Sequence, residues 1–165
     1  MNLSFQSSNL KSVKADAVVF FIEETKTTFN KRVAELRTMF GKRLDHIIEM
    51  ENFKGKDSDC LSILTEGKLA TQRLLLIGLG DEKKLTIEKF RRAAARAAKQ
   101  AKVLKLGHVA FSLPEEQEQM STIDIAKALA EGAYLSLYKY DKYLTEEKGK
   151  NKKVSQLTFV AEKST

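Results

Sequence analysis

Two nearly continuous apolar runs, DAVVFFI at 16–22 and QRLLLI at 72–77, constrain the fold of this chain more than any other feature. Side chains alternate across a strand, so a strand with few polar residues must be covered on both faces. Each run is followed by a segment whose apolar residues recur at three- and four-residue spacing, which predicts a helix. Alternating strands and helices of this kind predict an α/β domain.

Shorter strand patterns flank the two central runs. The predicted strands are Asn2–Gln6, Asp16–Ile22, Cys60–Leu64, Gln72–Ile77, His108–Leu113 and Val154–Ala161. The predicted helices cover about 30–51, divided at Gly41, then about 86–104 after a Thr86 cap, and a long segment that opens at Ser121. These elements predict one mixed sheet of about six strands flanked by helices, in a three-layer α/β/α arrangement.

Length and composition favour one domain over residues 1–165. The chain has 29 Lys and Arg against 22 Asp and Glu, a net charge of +7, and 42% hydrophobic residues, which is typical of a globular protein. No apolar run approaches the roughly 20 residues that a membrane-spanning helix needs, and the first residues lack the pattern of a signal peptide. We therefore expect a cytoplasmic protein with no membrane partner.

Histidine and cysteine are scarce, and this argues against a self-contained catalytic or zinc site. The chain has two histidines, His46 and His108, and one cysteine, Cys60. Zinc centres and Cys-His nucleophiles need several such groups brought together. We expect packing or surface roles for the histidines and a buried structural thiol at Cys60, so the chain has no predicted catalytic or metal-binding residue.

The turn Gly78-Leu79-Gly80 follows an apolar strand and precedes a helix, which is the placement of an anion-binding turn. Lys83 stands where a dinucleotide fingerprint would need its third glycine, and no Walker motif is present. Gly78 and Gly80 thus have two interpretations. They form either a tight turn that glycine permits or a candidate anion site for a nucleotide such as ADP-ribose.

The segment 86–105 carries seven Lys and Arg residues against one acid, a balance of +6. Four of them repeat at helical spacing and predict one basic stripe: Lys89, Arg92, Arg96 and Lys99. The stripe is either a solvated surface or a contact for a nucleic-acid backbone. Tyr134, Tyr138, Tyr140 and Tyr143 likewise suit either base stacking or, as we expect, packing of a helix end on a neighbouring element.

Two segments together resemble the N-terminal domain of the leucine aminopeptidases, also called cytosol aminopeptidases. The first is LLLIGLGDEKKLTIEKFRRAA at 74–94, and the second is AEGAYLSLYKYDKY at 130–143, with Lys139 and Tyr140 as departures from the family pattern. The order and separation of the segments also agree. The resemblance implies a fold like that of the macro domains.

The resemblance also implies that the chemistry lies outside this chain. In the family, a larger C-terminal domain holds two divalent metal ions, zinc or manganese, that activate water to remove N-terminal residues from peptides. Its signature NTDAEGR is absent from these 165 residues, so no catalytic or metal residue can be carried over. The expected partners are that catalytic domain, the subunits of a homo-hexamer and, in some bacterial members, DNA.

Overall fold

The computed structural model of the chain describes residues 1–24, 31–115, 119–138 and 153–162. The strands in these ranges are β1 Asn2–Ser8, β2 Ala17–Glu24, β3 Cys60–Leu64, β4 Arg73–Asp81, β5 His108–Ser112 and β6 Gln156–Glu162. The α-helices there are α1 Lys31–Phe40, α2 Lys42–Met50, α3 Ile87–Val103 and α4 Thr122–Leu137. The predicted alternation of strands and helices is confirmed.

The described strands form a single mixed sheet in the order β1-β6-β5-β2-β4-β3. Neighbouring strands are parallel except at one edge, where β3 pairs antiparallel with β4. β2 lies between β5 and β4, which explains why its sequence is apolar on both faces. The predicted six-stranded α/β sheet is therefore confirmed.

A hydrophobic core lies on each face of the sheet. Successive residues of β4 show the division, because Leu74 belongs to the core beneath α1 and α2, whereas Leu75 belongs to the core beneath α3 and α4. Both side chains are fully buried. The sheet with a helical layer on either side gives the predicted three-layer arrangement.

Small residues let α3 and α4 approach closely. Ala94 and Ala97 of α3 are buried, and a Cβ added at Gly132 of α4 would overlap the backbone carbonyl of Arg91. The helix starts also agree with prediction, since the side chains of Thr86 and Ser121 accept hydrogen bonds from backbone N–H groups in the first turns. Gly41, at φ +62°, separates α1 from α2.

Three expectations need correction. Strand β4 continues through Gly78 and Gly80 to Asp81, although Gly80 has a φ of +80° and the pairing with β2 shifts register between Ile22 and Glu23. Cys60 is exposed, since it alternates with the buried Leu61 and Ile63 and lies on the other face of β3, so the prediction of a buried thiol is wrong. Tyr134 and Tyr138 are also exposed rather than packed, and Tyr140 and Tyr143 lie outside the described residues.

Candidate functional site

The two glycines of β4 lie directly against the loop 54–59. The N–H of Gly78 donates to the carbonyl of Asp59 at 2.9 Å, and the N–H of Gly80 donates to the carbonyl of Gly55 at 2.9 Å. A Cβ at Gly78 would overlap the carbonyl of Lys56 and lie 2.7 Å from the carbonyl carbon of Gly55. Both amides already donate to backbone carbonyls in this structure. The missing Cβ of Gly78 permits the close approach of the loop, whereas Gly80 adopts a φ of +80°, a backbone conformation that favours glycine.

Arg96 joins α3 to this loop. Its guanidinium donates to the carbonyl of Gly78 at 2.7 Å and to the Asp57 carboxylate at 3.3 Å. Its side chain is 27% exposed. Arg96 is thus held in a structural contact between a helix, a strand and a loop.

The other members of the predicted basic stripe differ from Arg96 and from one another. Arg92 donates to the carboxylate of Glu88 at 3.1 Å, and Arg91, which lies outside the stripe, donates to the same carboxylate at 2.6 Å. These hydrogen bonds hold the pKa of Glu88 below its ordinary value, and the bond from Arg91 has the larger effect. Lys89 is half-buried near Gly80, whereas Arg92 and Lys99 are exposed. The structure places all four predicted residues on α3 and makes Arg92 and Lys99 the most accessible.

Cys60 lies close enough to Arg96 to experience its charge. Desolvation raises the pKa of the Cys60 thiol, and the Arg96 cation offsets this only in part. A thiol with a raised pKa is a poor nucleophile at neutral pH. The exposed position of Cys60 is thus not accompanied by the lowered pKa that is typical of reactive thiols.

His108 belongs to a series of hydrogen-bonded polar side chains that spans three strands. Its Nε2 atom lies 2.8 Å from the Thr158 hydroxyl, which in turn lies 2.9 Å from the Ser4 hydroxyl. The Asp16 carboxylate accepts hydrogen bonds from the backbone N–H groups of Gly107 and His108. Burial lowers the pKa of His108, and the charge of Asp16 partly opposes this shift. The network links β1, β6 and β5.

A cleft of about 740 Å³ opens between α1 and the segment that joins β1 to β2, and it reaches the carboxyl ends of β5 and β6. In parallel sheets, ligands bind beyond the carboxyl ends of strands. Here Arg32 crosses that edge, donating to Glu162 at 2.7 Å and to the carbonyl of Leu113 at 3.1 Å. The lining also includes Glu35 and Glu115. Sequence analysis missed Arg32, because its partners are remote in the sequence.

Across the described ranges, no three His, Cys, Asp or Glu side chains gather closely enough to hold a metal ion. Of the helices in the described residues, none has the length and apolar content needed to cross a bilayer.

The sheet order and the helical layers define an α/β domain whose architecture is that of the macrodomains. A Trypanosoma brucei macrodomain in complex with ADP-ribose superposes with a TM-score of 0.70 at 10% identity, covering 96% of this chain and 63% of that one. A tomato leucine aminopeptidase mutant gives a TM-score of 0.78 at 18% identity, over 99% of this chain and 32% of the other. These low identities show the fold alone.

Sequence comparison then identifies the family. The model of the cytosol aminopeptidase family, N-terminal domain, matches residues 18–147. A probable cytosol aminopeptidase of Alkaliphilus oremlandii is 27% identical over the whole chain, which spans only 33% of that relative's length. The chain therefore belongs to the cytosol aminopeptidase family and corresponds to its N-terminal domain, as the resemblance predicted.

Proposed function

We propose that this chain is a non-catalytic N-terminal domain of a metal-dependent leucine aminopeptidase, in which it contributes to assembly or regulation. The observation that carries the proposal is the family match over 18–147 in a chain that spans about a third of its relatives' length. The remaining two-thirds of those relatives is where we place the peptidase chemistry, with two zinc or manganese ions. The relatives' names support a cytoplasmic location.

An activity assay tests the proposal. The purified chain is incubated with leucine p-nitroanilide and manganese or zinc, beside a full-length cytosol aminopeptidase as positive control. We expect release of nitroaniline at the rate of buffer alone. Metal-dependent turnover that follows the chain through purification and disappears with a chelator would overturn the proposal.

A second candidate function is binding of a nucleic-acid backbone through α3. The observation in its favour is the +6 balance of the segment 86–105, together with the exposure of Arg92 and Lys99. Lys89 and Arg96 complete the stripe, although Arg96 already binds Asp57 and Gly78. A contact of this kind releases counterions from the nucleic acid, so its affinity must fall as salt rises.

The test measures DNA binding by a double variant of α3, Arg92→Glu with Lys99→Glu. Arg96 is left in place to preserve the fold. The control is a double charge reversal on α2, Lys42→Glu with Arg43→Glu. Binding of duplex DNA that weakens with salt, and weakens further in the α3 variant alone, supports the contact. Equal binding by the two variants rejects it.

The nucleotide interpretation of Gly78 and Gly80 is a third prediction. The ADP-ribose in the related macrodomain structure motivates it, but the amides of both glycines donate to backbone carbonyls in this chain. Calorimetry with ADP-ribose tests it directly, and heat of binding that is lost on Gly80→Ala substitution would support it.

A further inference from the structure

We draw no further inference here: the strongest candidate, the cleft at the carboxyl ends of β5 and β6, is lined by Arg32, Glu115 and Glu162, which lie within two residues of segments outside the described ranges, so nothing in the structure shows what covers it or which ligand its mixed charges would select.

Discussion

Single residues in this chain are constrained mostly by what packs against them. Gly78 illustrates this, because the position requires the absence of a Cβ rather than an unusual backbone angle. The loop 54–59 passes so close to Gly78 that any side chain there would overlap the loop backbone. The motif suggested a phosphate turn on the basis of the same absence of a side chain. The neighbours of a glycine therefore decide its role.

Gly78→Ala is expected to destabilise the chain by about 3 kcal/mol, at the upper end for overpacked sites, since the atoms that the added Cβ would meet belong to the backbone and cannot rotate away. Gly67→Ala is the comparison. Gly67 has φ +82° with open space around it, so this variant loses only about 1 kcal/mol through backbone strain. Urea unfolding measures both, and equal losses would show that the loop yields to the added methyl group.

His108 predicts a pH dependence of stability. Burial lowers its pKa from the ordinary value of 6.5, so the folded chain binds fewer protons at this site than the unfolded chain. The corresponding stability is complete above pH 6.5 and is lost as pH falls through the lower folded pKa.

Urea midpoints between about pH 5.5 and 7.5 should therefore rise with pH in the wild-type chain. His108→Gln keeps a hydrogen-bonding group near Thr158 but cannot titrate, and it should flatten this rise. An identical slope in the variant would assign the effect to other groups.

At the scale of elements, α3 has different roles on different faces. Its alanines pack against the sheet and α4, while its arginines divide between local ion pairs and a contact with the strand beneath. Arg92 bonds within its own helix to Glu88, but Arg96 connects α3 to β4 and the loop 54–59. The regular spacing of the stripe in the sequence gives no indication that Arg92 and Arg96 have different partners.

Arg96→Met should cost about 1.5 to 3 kcal/mol, because it removes charged hydrogen bonds to Gly78 and Asp57 in a partly buried position. Arg92→Met should change the free energy of unfolding by less than about 0.5 kcal/mol, as exposed ion pairs contribute little. Thermal or urea unfolding compares the two variants, and a larger loss at Arg92 would contradict the assignment.

Sequence patterns predicted the elements well because their causes are local. The spacing of Phe90, Ala94 and Ala97 depends only on the helical repeat, and the Thr86 and Ser121 caps act within one turn. Contacts between distant residues were beyond such reasoning: Arg32 meets Glu162 across 130 positions. The exposure of Cys60 was missed for the same reason, since only the three-dimensional packing shows which face of β3 is covered.

For the whole molecule, the sheet is the element that both cores share. Each internal strand contributes alternate residues to the two faces, so loss of either core removes packing from the same backbone. Leu74 and Leu75 of β4 are adjacent, fully buried and on opposite faces. The two faces are therefore expected to unfold together rather than as separate layers.

Leu74→Ala and Leu75→Ala test this cooperativity. Each should cost about 2 to 5 kcal/mol, as leucine truncation in a packed core generally does, and each should preserve a single transition. Amide NMR signals followed through a urea titration give separate midpoints for α1 and α2 and for α3 and α4. In both variants these midpoints should fall together, because the two helical layers pack on the same sheet. A midpoint shift confined to the helices on the substituted side would show that the two layers unfold independently.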